Sequence, residues 1–235
     1  MSKRFSGVLE KGGRALANVF DIIGPIMIGP SSSHTAGAVR LGLIARALLG
    51  ESPTGAQVKL HGSFARTYKG HGTDKALIAG LLGFAPDDLR IRESLELARR
   101  QDLAYSFEPA DLGDFHPNTA LIDLEGSLGA SLSLLGSSIG GGKVQIHKIN
   151  GLPAEFTAEY DTLVVYHKDT PGVIAAVTSL LASHNINIAQ MKVYRSYRGG
   201  RSVIVLETDE RIDEELCKQV KAIPNVTGAI FLHAI

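Results

Sequence analysis

The chain has 235 residues, 44% hydrophobic and 20% charged, enough apolar material for one large domain or two smaller ones and too much for a disordered chain. Its 24 Lys and Arg balance 24 Asp and Glu, so the composition carries no electrostatic footprint for nucleic acid or an anionic membrane. The single cysteine, Cys217, excludes an intrachain disulfide, a tetrahedral cysteine zinc site and an iron–sulfur cluster held by this chain alone. No stretch approaches the ~20 apolar residues of a membrane span. Residues 1–19 contain no apolar run long enough for a signal peptide, so the expected compartment is the cytoplasm.

Residues 1–17 are polar and glycine-bearing and read as a flexible leader. Residues 19–23 are short, apolar and β-branched, the start of a strand or a helix. Then comes Gly24-Pro25-Ile26-Met27-Ile28-Gly29-Pro30-Ser31-Ser32-Ser33-His34-Thr35-Ala36-Gly37. Two Gly-Pro pairs bend and stiffen it, and any serine from 31 to 33 can cap the helix that follows. Such a helix start favours a carboxylate or a phosphate. The plain alternative is an elaborate N-cap on a glycine-rich turn. Residues 35–50 carry apolar residues at helical spacing with Gly50 as the stop, and residues 57–63 alternate as a strand that ends in His61-Gly62-Ser63.

A second polar knot, Lys69-Gly70-His71-Gly72-Thr73-Asp74, precedes a helix over 75–82. Pro86-Asp87-Asp88 opens another helix, running to about 101. Strands are expected over 103–107, 120–124, 128–135 and 143–150. The knot Phe115-His116-Pro117-Asn118-Thr119 and the glycine-rich loop Ser137-Ser138-Ile139-Gly140-Gly141-Gly142 lie among them. That loop lacks the Lys-Ser/Thr ending of a nucleotide-binding P-loop and opens no helix. Residues 151–160 show no clear period, and the domain boundary is placed near 156–160, giving a first domain over 18–156 and a second over 160–235. The second reads strand 163–166, helix 173–184, strands 186–195 and 202–208, helix 213–223 and strand 226–232. This β-α-β-β-α-β order is the ferredoxin-like split unit. The whole chain is thus of mixed α/β (α+β) class.

Histidine is the side chain best suited to move protons near neutral pH. His34, His61 and His116 sit in polar knots, with His71 as a fourth candidate, while His147, His167, His184 and His233 lie in or beside regular elements and read as structural. A Ser-His-Asp hydrolase fits poorly, because there is no Gly-x-Ser-x-Gly elbow and Ser33 adjoins His34 in sequence. A three-histidine zinc site from His34, His61 and His116 stays open on the residues. Otherwise the pattern describes a pocket of imidazoles and hydroxyls that can grip a small zwitterion and abstract a proton.

Gly24-Pro25 with Gly29-Pro30-Ser31-Ser32-Ser33-His34-Thr35-Ala36-Gly37, together with His61-Gly62-Ser63-Phe64-Ala65, Tyr68-Lys69-Gly70-His71-Gly72-Thr73-Asp74, His116-Pro117-Asn118-Thr119 and Ser138-Ile139-Gly140-Gly141-Gly142, resembles the β chain of the two-chain, iron–sulfur-dependent bacterial L-serine dehydratases. The second domain resembles an ACT regulatory domain, with Asp169 and Gly172 in its ligand loop. The resemblance implies conversion of L-serine to pyruvate and ammonia without pyridoxal phosphate. A four-iron four-sulfur cluster on a separate, cysteine-bearing α chain would act as Lewis acid on the substrate hydroxyl. The β chain itself would hold no metal. The resemblance carries the role of base to His61, places His34 and His116 in the same pocket, and gives Ser31, Ser32, Ser33, Thr35, Gly62, Ser63 and Asn118 to the substrate's carboxylate and amine. It further implies effector binding, or homodimer contacts, through the ACT domain, and it offers the loop carbonyls near Asp169 and Gly172 to a monovalent cation. The first domain also resembles the allosteric substrate-binding domain of some D-3-phosphoglycerate dehydrogenases. On that rival reading the chain senses L-serine and does no chemistry.

Overall fold

The computed structural model describes residues 31–235; the expectations for residues 1–30, including the Gly-Pro pairs, lie outside the described residues. A single π-helical turn, Ser32–Gly37, runs into helix α1, Ala38–Leu49. Ser31 is extended and its Oγ accepts the His34 N–H at 3.3 Å, so it is the serine that caps. Gly50 closes α1 in the left-handed conformation. Strand β1, Pro53–Leu60, helices α2, Gly62–His71, and α3, Thr73–Leu81, a 3₁₀ turn Leu89–Glu93 and helix α4, Ser94–Arg100, follow. Strands β2, Ala104–Pro109, β3, Thr119–Gly126, β4, Ser131–Gly140, β5, Lys143–Ile149, and β6, Leu152–Phe156, complete a six-stranded sheet ordered β2-β1-β3-β4-β5-β6. Only β1 and β2 are parallel; β1–β3, β3–β4, β4–β5 and β5–β6 are antiparallel.

The pleat sorts side chains by period two. On β1, Ala56, Val58 and Leu60 are buried while Gln57 is exposed, and on β3 Ala120, Ile122 and Leu124 are buried. This inner face meets Leu41, Ile44 and Leu48 of α1 and Leu77, Ile78 and Leu81 of α3 in one core. The two helices touch through Gly42 and Gly80: a β-carbon on Gly80 would lie 2.1 Å from the Val39 carbonyl oxygen, so any side chain there would force the helices apart.

The second unit comprises β7, Asp161–Lys168, α5, Val173–Ser183, β8, Ile188–Arg195, β9, Arg201–Thr208, α6, Glu214–Lys221, and β10, Val226–Leu232, with sheet order β10-β7-β9-β8. This is the β-α-β-β-α-β arrangement read from the sequence. Leu163, Val165, Ile204 and Leu206 face α5 and α6, whose Val177, Leu181, Leu216 and Val220 close a core of their own. Alternate residues Val164, Val203 and Val205 turn the other way and join the core of the first unit. Buried Glu207 accepts the N–H and hydroxyl of Thr157 at 3.3 Å, and the Ile235 N–H bonds the carbonyl of Ala158 at 3.0 Å, tying β9 and the C-terminal segment to the connection between the sheets. No helix among the described residues is long and apolar enough to cross a membrane.

Several local expectations are corrected. Ser63 is not at the end of a strand: β1 stops at Leu60, and residues 62–71 form α2. Gly62 has φ +57°, a turn that alternation of apolar residues cannot reveal, and Lys69, Gly70 and His71 are the last turn of that helix. Residues 85–88 are turns, so the helix expected from Pro86 begins as a 3₁₀ turn at Leu89. Ser137 to Gly140 belong to β4, where cross-strand pairing with Thr119 and Val144 overrides their loop-like composition, leaving only the turn to Gly141 and Gly142. Residues 152–156 are a strand despite lacking period, because Pro153 sits in the edge strand of the sheet.

Candidate functional site

Three elements bring the polar knots together at one end of the first sheet. Ser31 and the π-turn place His34 against α2: its Nε2 lies 3.1 Å from Thr67 Oγ1 and 3.4 Å from Ser63 Oγ. The Thr67 hydroxyl already donates to the Ser63 carbonyl at 2.8 Å, so toward His34 it can only accept, and His34 carries its proton on Nε2. Nδ1 is then free to accept from Ser31 Oγ at 3.3 Å. Burial, reinforced by the His71 ring 4.8 Å away, pushes His34 below the ordinary histidine range, so the ring stays neutral.

His61 stands between β1 and α2, and its N–H bonds the Thr119 carbonyl at 2.9 Å. The turn at Gly62 lets the Ser63 N–H reach the Pro117 carbonyl at 2.7 Å, and a β-carbon on Gly62 would lie 2.7 Å from Pro117 backbone. The His61 and His116 knots are therefore one structure. The His61 ring accepts the Leu112 N–H on Nδ1 at 3.2 Å, with Asp111 Oδ1 3.7 Å from the same nitrogen. His116 is exposed and accepts the Asn118 N–H on Nδ1 at 3.1 Å. All three rings thus offer an N–H at Nε2 in the neutral form.

Around them lie polar atoms with nothing to bond. Thr35 Oγ1, Asn118 Oδ1 and Ser138 Oγ are buried and have no hydrogen-bond partner among the described residues, and Asn118 is linked to Ser138 through the Ser138 N–H at 2.9 Å. Buried orphan groups cost free energy that a ligand can recover. Ser32, Ser33 and Ser63 are half-exposed beside them. Of the site residues expected from sequence, Ser31, His34 and Ser63 are in direct contact, and Gly62 and Ser63 adjoin the loop that carries His116 and Asn118. No three His, Cys, Asp or Glu residues gather as metal ligands among the described residues, so the three-histidine zinc alternative has no geometry here.

One residue read as structural stands beside the site. His147 on β5 bonds Ser137 Oγ through Nε2 at 2.7 Å and packs its ring 5.0 Å from Phe115. Cross-strand neighbours are invisible in a linear pattern, so only the pairing of β3, β4 and β5 could find it. A wide groove of about 570 Å³ lies elsewhere, on the open face over Gln57, Asp123 and Ser133. In the second unit, Asp169 accepts the Gly199 N–H at 3.0 Å and pairs with Arg195 at 3.3 Å; the N–H of Gly199, then Arg195, hold its carboxyl below the usual range. Beside it, Gly172 and Arg198 line a hollow of about 340 Å³.

Comparison with known proteins places these elements. Residues 18–106 match the family model described as serine dehydratase beta chain, and residues 162–225 match the ACT domain model. The chain is 44% identical over 209 residues to the probable L-serine dehydratase beta chain of Bacillus subtilis, covering 89% of this chain and 94% of that one. It is 40% identical over 217 residues to the L-serine dehydratase beta chain of Peptoniphilus asaccharolyticus, covering 92% and 98%. A D-3-phosphoglycerate dehydrogenase of Methanocaldococcus jannaschii is 36% identical over 101 residues, 43% of this chain and 19% of that protein.

Proposed function

This chain belongs to the L-serine dehydratase β-chain family, and we propose that it supplies the substrate-gripping and proton-moving half of an enzyme that converts L-serine to pyruvate and ammonia together with an α chain. The observation that carries this reading is the convergence of three imidazoles with three unpartnered buried polar atoms at one sheet end. The rival, a chain that only senses L-serine, draws on similarities to D-3-phosphoglycerate dehydrogenases that reach 36% identity over 43% of this chain or 25% over 65% of it, against 44% and 40% over 89% and 92% of it for the dehydratase β chains.

The cluster implied by the family does not fit this chain. Cys217 is its one cysteine, it lies buried with Sγ against the Ala229 carbonyl, and burial pushes its thiol up, away from the thiolate a metal requires. In our reading the four-iron four-sulfur cluster belongs to the α chain. What this chain contributes is binding and proton transfer. The Nε2–H of His116 and the hydroxyls of Thr35 and Ser138 suit a carboxylate, and Asn118 Oδ1 suits an ammonium. His61 takes the α-proton at Nε2, which requires the ring's own proton to stand on Nδ1. Asp111, 3.7 Å from Nδ1, is placed to accept that proton in place of the Leu112 amide and to orient the base. Loss of the α-proton and of the β-hydroxyl leaves aminoacrylate, which tautomerises and hydrolyses to pyruvate and ammonia.

The test is His61→Ala in the complex reconstituted with its α chain. Turnover at saturating L-serine is expected to fall by roughly 10²–10⁴-fold, with L-serine binding by calorimetry kept. Turnover retained with altered serine dependence would support the sensor instead, and dehydration by the isolated chain would overturn the two-chain reading.

A further inference from the structure

Resting on the function proposed above, we infer that His147 is a positioning residue for the substrate site, acting through the hydroxyls of Ser137 and Thr119 on the His116–Asn118 loop. The four residues sit on the loop and on three adjacent strands, and their atoms form one chain: Thr119 Oγ1 to the His116 carbonyl at 2.6 Å, Thr119 Oγ1 to Ser137 Oγ at 2.6 Å, and Ser137 Oγ to His147 Nε2 at 2.7 Å.

The direction of the chain is forced. A carbonyl only accepts, so the single hydroxyl proton of Thr119 goes to His116. Thr119 Oγ1 must then accept from Ser137, whose own proton is thereby used. Ser137 Oγ must accept from the ring, so His147 is an Nε2–H donor. Every link runs toward the loop: imidazole to serine, serine to threonine, threonine to the His116 carbonyl. Thr119 and Ser137 are fully buried, so water cannot replace a missing link, and successive donation strengthens each bond.

The loop needs such an anchor. Residues 115–118 lie outside any strand, and His116 and Pro117 are exposed. Its other hydrogen bonds to neighbouring elements are the Ser63 and Phe64 amides on the Pro117 carbonyl and the Ser138 N–H on the Asn118 carbonyl, and the Phe115 ring packs against His147 and under Lys148. Among the described residues only the His147 chain fixes the His116 carbonyl, one residue before Pro117, and so sets the angle at which the His116 ring and the Asn118 amide enter the pocket. Neither the loop's sequence nor its resemblance to other chains contains His147, which lies 31 positions downstream of His116 in the numbering.

Three variants separate the hydrogen bond from packing. His147→Leu keeps the contact with Phe115 and removes the donor. His147→Gln places an N–H near the position of Nε2, whereas His147→Asn reaches only as far as Nδ1. With the full chain labelled at histidine nitrogen, NMR is expected to show His147 as the Nε2–H tautomer. Hydrogen exchange at the Asn118 amide is expected to rise about tenfold in His147→Leu and His147→Asn and to return in His147→Gln, the loss of one buried hydrogen bond. In the two-chain complex kcat/KM for L-serine should fall about tenfold and be restored in the same order. An Nδ1–H tautomer, unchanged Asn118 exchange in His147→Leu, or a glutamine no better than leucine would each overturn the inference. Should the wild-type complex not dehydrate L-serine, the proposed function falls, while tautomer and exchange still decide the role of His147.

Discussion

The two units put their polar side chains to different uses. At the sheet end of the first unit, Thr35, Asn118 and Ser138 present buried atoms with no partner among the described residues; His61 and His116 are held by their Nδ1 atoms, while His34 is held on both sides, by Ser31 at Nδ1 and by Thr67 and Ser63 at Nε2. In the second unit the acids are bonded within the protein. Asp213 caps α6 through the Leu216 N–H at 2.8 Å, Asp161 accepts from Ile212, His233 and Ala234, and Glu207 accepts from Thr157. The first region gathers its unmet hydrogen bonds at one sheet end, where they suit a ligand; the second leaves Tyr166 Oη and His167 Nε2 unpartnered among the described residues but uses its acids to brace itself and the connection to its neighbour.

Substitutions that move function without stability, or the reverse, break or sharpen this contrast. The largest effect is expected at Asn118. Its backbone bonds to His116 and Ser138 survive Asn118→Ala, so the change deletes only the unpartnered amide oxygen and its NH₂. In the two-chain complex kcat/KM for L-serine should fall about 10–100-fold, as for a hydrogen bond to a charged group. The melting temperature should hold or rise, since an orphan acceptor is removed. A loss of stability instead would show that the oxygen braces the fold.

Asp111→Asn comes next. An amide accepts a proton less strongly than a carboxylate, so the orienting of His61 weakens and kcat should drop about tenfold with KM little changed. Unchanged kcat would remove Asp111 from the site.

In the second unit the expected readout is stability. Burial pushes Asp161 up, but the Ala234 N–H, the His233 ring and the Ile212 N–H outweigh it, and the carboxyl sits below its usual range. With the folded value lowered, its contribution is present above the unfolded value of about 3.9 and is lost as pH falls through the folded value. Asp161→Asn should therefore lower the melting temperature by about 2–4 °C near neutral pH, and the gap to wild type should close in acid. A gap constant with pH would show that charge is not involved. Turnover should be untouched.

The smallest effect belongs to Tyr166, whose phenol is pushed up to about 12 by burial and whose hydroxyl has no partner among the described residues. Tyr166→Phe should change stability by less than about 0.5 kcal/mol or raise it, because no hydrogen bond is lost. A clear loss in thermal unfolding would mean that the hydroxyl is satisfied in solution.

Part of the site is legible in the linear pattern of residues. Ser31 to Thr35 stand out as consecutive polar residues ahead of a helical pattern, and Ser31 is indeed the cap. His61 and His116 stand out because loops punctuated by Gly and Pro surround them. The roles of Ser137 and His147 are not legible there. Ser137 adjoins a glycine run that reads as a loop, and His147 lies in a strand with the alternation of any half-buried strand. Their partners come from β3 and from the loop that precedes it, at separations no local period reports.

Sequence alone settles the elements whose signals are local: the period of α1, the glycine that ends it, the alternation of β3, and the β-α-β-β-α-β order of the second unit. Apolar periodicity sets which face an element must bury, whatever covers it. The folded chain settles what no single segment contains. The left-handed turn at Gly62 directs Ser63 into a helix and onto Pro117, and the antiparallel register of β3, β4 and β5 lines up Thr119, Ser137 and His147. Registers and tight turns are fixed by pairing and close packing across the fold, so the groups that orient the site are chosen by neighbours far away in the chain.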